Sequence, residues 1–301
     1  MYIKTSCALL FLSLPAINTA GQGCSDAGFC SAADFKPGAQ DSSAFTNQLK
    51  LGVSNGLADH SIAVFSPYIE YSRQVSERFR FNVKITALSQ SGNGISTSGM
   101  SDIFLTANYK FSKTVKVTAG LKIPLSDGNT QHNDLPLPMD YQSSLGTLDL
   151  IIGTGVKVSN FEFVVALQQP LTQNKNEFIQ EIYHEQSVLN KFQSTKNYKR
   201  SGDGLLRASF SFKLNEKLRI TPGLLPVYHL QNDKYTGIDG IEREITGSQG
   251  LTLNGVLYLD YSVDIKNNFQ LSFGAPFISR DVRPDGLTRK YVVTLEYGFK
   301  F

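Results

Sequence analysis

From Asn47 to the C-terminus, large apolar residues recur at every second position. The stretch "FRFNVKITALSQ" (79–90) sets Phe79, Phe81, Val83, Ile85 and Ala87 on one face, and Arg80, Asn82, Lys84 and Thr86 on the other. "DIFLTANYKF" (102–111) and "VKVTAGLKIPL" (115–125) repeat the pattern. A period of two is that of a β-strand, whose successive side chains point to opposite faces. Twelve segments show it, near 47–55, 62–74, 79–90, 102–111, 115–125, 145–158, 161–170, 203–214, 218–230, 251–263, 269–277 and 290–301.

The connections between them alternate in length. Short turns are expected at 75–78, 112–114, 159–160, 215–217 and 265–268, and longer loops near 56–61, 91–99, 126–144, 171–202, 231–248 and 278–289. Strict alternation gathers all the tight turns at one end of an antiparallel meander. Outer-membrane barrels have this asymmetry, with short periplasmic turns and long outer loops. Most segments also reach the roughly 9–11 residues a tilted strand needs to cross a bilayer. A soluble sandwich fits less well, because its strands typically run to about 5–6 residues. These polar faces also carry charge at mid-strand. The expected fold is therefore all-β: a transmembrane up-and-down antiparallel barrel of about 12 strands over 47–301.

The last segment, "YVVTLEYGFKF" (291–301), closes such a barrel with its apolar face toward lipid. Tyr297, Phe299 and Phe301 would sit at an interface, where aromatic rings are favoured. An alternating final strand ending in phenylalanine also resembles the signal that outer-membrane proteins present to the barrel-insertion machinery.

Composition leaves this picture standing. Of 301 residues, 41% are hydrophobic and 18% charged, with a net charge of +3. No run of 18 or more apolar residues marks a spanning helix, and membrane strands escape such a test because half of each is polar. The N-terminus reads as an export signal: Lys4, then the apolar "CALLFLSLPAI", then small residues, with cleavage expected near Ala20. A lipid-modified Cys24 is the lesser alternative, since Gly21 stands where such signals prefer an aliphatic residue. Residues 21–46 read as a flexible periplasmic leader. Cys24 and Cys30 within it form a candidate disulfide, as paired cysteines in exported chains commonly do. A metal or redox site is disfavoured there, because no histidine is near and the spacing is not C-x-x-C.

If the apolar register faces lipid, the other lines the lumen. It is mixed and slightly basic, and the candidates for a selectivity role are Arg80, Lys84, Lys122, Asp149, Lys157, Arg207, Asp260 and Glu296. Either these charges pair across strands, or together they favour anions. Twelve strands imply a narrow lumen, between the filled interior of eight and the open channel of sixteen.

Two loops draw notice. The stretch "LSDGNTQHNDLPLPMDYQSSLGTLDL" (125–150) offers His132, Asp140 and Tyr141 as candidates for a gate folded into the mouth, against the reading of a proline-stiffened outer loop. In 171–202, Phe178, Ile182, Leu189 and Phe192 fall at roughly helical intervals, which predicts a short amphipathic helix packed on the barrel rim.

No catalytic residues emerge. The four histidines are His60, His132, His184 and His229, and none sits beside a serine and an orienting acid in a recognisable pattern. His184 with Glu181 and Glu185 reads as the wet face of a loop element rather than a metal site. The sequence calls for no cofactor and no metal, and shows no nucleic-acid pattern. The "KIPL" strand end (122–125), the "LPLPMDYQSSLGTLDLIIGTG" segment (135–155) and the "EYGFKF" terminus (296–301) carry a further likeness. On them the chain resembles the transporter barrels grouped with the phenol meta-pathway family, distant relatives of fatty-acid and aromatic-hydrocarbon uptake channels. That resemblance implies passage of small, often apolar solutes. The expected function is a passive outer-membrane conduit for a small solute. A plugged barrel with partner-binding loops is the alternative, and a lipid hydrolase a lesser one. The expected partners are outer-membrane lipid, the insertion machinery and the solute.

Overall fold

The computed structural model describes residues 35–36, 45–286 and 289–301. The expected signal segment 1–20 and the Cys24–Cys30 pair lie outside these residues. Twelve long antiparallel strands make up the body: β1 (Asn47–Leu57), β2 (Ala63–Gln74), β3 (Phe79–Gly92), β4 (Ile95–Lys110), β5 (Val115–Pro124), β6 (Asp149–Val158), β7 (Phe161–Pro170), β8 (Asp203–Phe210), β9 (Leu218–His229), β10 (Gly250–Ser262), β11 (Asn267–Ile278) and β12 (Tyr291–Lys300). Each pairs with its sequence neighbours, and β12 pairs back onto β1 from Gln48↔Lys300 to Leu57↔Tyr291. The sheet is thereby a closed up-and-down barrel without a free edge.

Alternation places the side chains as the sequence implies. Leu51, Val53, Phe65, Ile69, Phe81, Val165, Leu271 and Leu295 are exposed on the outer wall, while Lys50, Glu70, Lys84, Lys122, Asp149, Arg207 and Glu296 are buried inside it. One β-bulge interrupts the β3–β4 ladder between Ile85 and Ala87. It leaves both Ser101 and Asp102 facing inward, and Thr86 Oγ1 fills the gap, donating to Asp102 O and accepting from Asp102 N at 3.1 Å each.

Three local expectations are corrected. The loop expected at 91–99 is a two-residue turn at Asn93–Gly94, with φ of 55° and 77°. Positive φ at both positions is the geometry of a type I′ hairpin, for which Asn-Gly is the favoured pair, and β3 and β4 extend to meet it. The strand expected from 145 begins at Asp149, because 145–148 stays in the loop layer. The amphipathic helix expected in 171–202 is instead two short 3-10 turns, Gln180–Ile182 and Val188–Lys191. An isolated helix of that length is marginal, and the loop orders itself by tertiary contacts instead.

The loops at one end fold together as a cap. Ile62, Leu137, Tyr141, Phe178, Tyr183 and Phe192 belong to one apolar cluster, and Met139, Leu145, Tyr198 and Ile245 to a second. Asn176, fully buried, ties loop 125–148 to loop 171–202. Its Nδ2 donates to Gly128 O (2.9 Å) and Leu137 O (3.0 Å), and its Oδ1 accepts from Phe178 N (3.0 Å) and Thr195 Oγ1 (2.8 Å). All four hydrogen-bonding positions of the amide are used, so its burial carries no unmet polar group.

Candidate functional site

The lumen is built in layers. Near the turn end, Glu162 is held by Arg207 at 3.0 Å and Lys116 at 3.4 Å. Close by, Gln270 Nε2 donates to Asp260 at 2.7 Å, and Arg80 Nε to Gln74 at 2.9 Å. Lys157, also near this end, is exposed. One layer further in, Lys50 contacts Glu296 at 3.0 Å and Glu70 at 3.8 Å, Tyr68 OH donates to Glu296 at 2.6 Å, and the Lys84 ammonium lies 3.9 Å from the Tyr68 ring centre. Toward the cap, Lys122 contacts Asp149 at 3.2 Å and Asp102 at 3.9 Å and donates to Thr147 at 3.2 Å. Every one of the eight predicted lumen residues therefore lies on the inward register. Lys122, Asp149, Arg207 and Glu296 stand in ion pairs, which is what cross-strand placement of opposite charges produces.

Sequence reading missed the other half of the lumen. Phe104, Ile151, Val164, Ala166, Leu205, Leu225, Val227, Val256 and Tyr258 form a buried apolar cluster inside the barrel, on β4, β6–β10. The signal was present where alternation lapses, as in "DLII" (149–152) and "LPV" (225–227). Phe35 fills this cluster and Lys36 reaches Glu296. These two residues of the expected flexible leader are thus ordered inside the barrel, because the lumen offers both an apolar belt and a carboxylate.

Between Lys36 and Tyr68 on one side and cap residues Met139, Ser143, Ser144 and Leu145 on the other lies a cavity of about 150 Å³. Its hydrogen-bonding groups include Asp102, which accepts from Ser144 Oγ at 2.7 Å and Ser101 Oγ at 3.0 Å. A cavity of about this size accommodates one benzene-sized molecule.

The rim where barrel meets cap carries a balanced charge cluster. Arg200 pairs with Asp203, and Arg280 with Asp285. His229 places Nδ1 2.7 Å from Asp203 and Nε2 2.7 Å from Asp233. Both ring nitrogens can donate only in the imidazolium form, and in that form the cluster sets three cations against three carboxylates. No ring nitrogen is left to serve a serine. Tyr198 OH donates to Asp233 at 2.7 Å, and burial beside that carboxylate pushes its phenol well above the ordinary value.

The gate candidates separate. Tyr141 is fully buried in the cap, where its OH donates to Gly92 O at 3.0 Å and accepts from Asn93 Nδ2 at 3.2 Å. His132 is exposed on a two-residue strand of the same loop. Asp140 lines an outer cleft of about 400 Å³ with Asp59, His60, Lys191, Phe192 and Arg283. Burial, reinforced by the nearby Asp59 charge, pushes its carboxyl up to about 7. Burial also lowers His60, whose ring packs 4.2 Å from that of Phe192. At the opposite end, Tyr297 packs 5.2 Å from Phe269, and Phe299 stacks on Phe301 at 5.7 Å, an aromatic cluster at the closing strand's end.

No family model matches the chain, and no curated protein matches it. Solved structures do. A COG4313 outer membrane channel from Pseudomonas putida F1 superposes with a TM-score of 0.56 at 15% identity, covering 85% of this chain and 96% of that one. The translocator domain of the autotransporter NalP from Neisseria meningitidis gives 0.47 at 10% identity over 87% and 90%. The CymD monoaromatic hydrocarbon channel gives 0.44 at 11% identity over 95% and 99%. At these identities the likeness is one of fold.

Proposed function

We propose that this protein is a channel of the Gram-negative outer membrane that passes a small solute through a narrow lumen, with the cap outside and the short turns in the periplasm. The carrying observation is that the closed barrel is inside out relative to a soluble one: an apolar outer wall surrounds buried Lys122, Asp149, Glu70 and Glu296. A surrounding hydrocarbon phase accounts for an apolar outer wall around buried charge. The fold likeness to an outer membrane channel supports the reading, as does the resemblance at 122–125, 135–155 and 296–301 to transporters of small apolar solutes. The inner belt around Ile151 and Val227 gives an apolar solute one wall, and the charge layers give a polar substituent the other. Passage is passive, and width excludes larger solutes. The aromatic end at Tyr297, Phe299 and Phe301 serves insertion. The folded cap and the lumen occupants Phe35 and Lys36 make this the closed form of the channel.

Single-channel recording in a planar bilayer tests the reading. Discrete steps, brief in the native protein and longer when 172–200 is shortened, are expected. Silence from both proteins, each verified as folded, overturns it.

A further inference from the structure

Two residues from ahead of the barrel occupy its middle. Phe35 is 3% exposed and belongs to the same buried apolar cluster as Phe104, Ile151, Val164, Leu205 and Tyr258. The wall carries no side chain beneath its ring: a Cβ on Gly153 would stand 2.6 Å from a Phe35 ring carbon. Lys36 meets the opposite side. Its Nζ donates to Glu296 Oε2 at 3.1 Å and to Tyr68 OH at 3.2 Å, and lies 5.4 Å from the Tyr68 ring centre. Glu296 is itself 2% exposed and fixed by Lys50. The receiving groups are thus buried and oriented by their own neighbours. They divide by strand, with the apolar belt on β4 and β6–β10 and the carboxylate and phenol on β12 and β2.

We infer that the mid-lumen is a binding seat for an aromatic ring joined to a primary ammonium, filled in this form by the chain's own Phe35 and Lys36. A compact ammonium with three donors meets Glu296 and Tyr68 together. The ring fills the side-chain-free wall at Gly153. Burial of the cation is tolerated because a carboxylate faces it. Lys36 borders the cavity of about 150 Å³, so the occupant stands in the conduction path. Its effect on flux rests on the channel reading, whereas the binding itself does not.

The test uses the full chain carrying Phe35→Ala and Lys36→Ala together, with the blocked dipeptide N-acetyl-phenylalanyl-lysine amide as probe, whose ring and ammonium have the spacing of the chain's own pair, and calorimetry in detergent as readout. The double variant binds the probe saturably. The native protein binds it several-fold more weakly, since its own occupant competes at about millimolar effective concentration. Adding Glu296→Gln, or in a separate variant Tyr68→Phe, weakens binding, by about tenfold or more for Glu296→Gln, the scale of a charge-assisted hydrogen bond. The neutral analogue with norleucine in place of lysine binds correspondingly weaker. Equal binding by native and double-variant proteins, or equal binding of the lysine and norleucine peptides, overturns the seat. Bilayer recordings keep the two readings apart. A double variant that binds the probe but never conducts, even with 172–200 shortened, refutes the channel and leaves the seat. One that conducts like the native protein and binds nothing refutes the seat and leaves the channel.

Discussion

Val165 offers a sharp test of which side of this barrel faces hydrocarbon. It is the fifth residue of the ten-residue strand β7, is 54% exposed on the outer wall, and pairs with Leu206 on β8 and Thr154 on β6. In a bilayer it lies near the midplane, where arginine on the lipid face costs about 2–4 kcal/mol. That lowers the folded-to-unfolded ratio by about 30- to 1000-fold. If the same wall met water, an exposed Val165→Arg change would stay within about 0.5 kcal/mol. The two environments therefore predict outcomes several-fold apart for one substitution. The assay is reversible denaturant unfolding from phospholipid vesicles, with Val165→Arg compared to native protein and with Leu206→Arg as a neighbouring replicate. Both variants should lose midpoint stability without a change in slope. Two neutral substitutions in lipid would refute the inside-out assignment and with it the channel.

Other expectations follow from the same geometry. Asp140 is raised from 3.8 to about 7 in the cap, so the folded form holds a proton that the unfolded form releases. Its contribution is present in full below about pH 4 and is lost as pH rises toward 7; thermal unfolding should show a larger drop over that window in native protein than in Asp140→Asn. Asp233→Ala removes the partner of His229 Nε2, the Tyr198 hydroxyl and the Ser201 N–H, at about 3–5 kcal/mol for breaking a buried ionic network. Proteolysis of the cap loops should rise while the barrel core stays resistant. Arg207→Ala leaves Glu162 with Lys116 as its remaining cation, and Lys122→Ala removes the positive charge between Asp102 and Asp149. Each should move the reversal potential under a salt gradient toward cation preference, and an unchanged potential would show that the path bypasses these layers.

By itself, the sequence determined the barrel. The period of two at Phe79–Ala87 or Val115–Leu125 says which side chains share a face, and the alternation of connection lengths, which fails only at the two-residue Asn93–Gly94 turn among the expected long loops, implies an up-and-down order. It also determined the inward register of Lys84, Lys122, Asp149 and Glu296, because that follows from local backbone geometry alone. The Asn93–Gly94 turn carried its signal in the dipeptide, which favours positive φ at both positions, but the reading of a longer loop at 91–99 passed over it. Tertiary structure decided what stands across the lumen from what. Lys36 and Glu296 are 260 positions apart, and Asn176 joins two loops whose residues show no shared pattern. Whether a stretch such as 171–202 coils as a helix or spreads into 3-10 turns depended on the apolar partners Tyr141 and Ile62 that the closed barrel brings to it. Periodicity reports how a strand sits on its own sheet. The contents of a lumen are set by residues that meet across closure, and no local signal records that meeting.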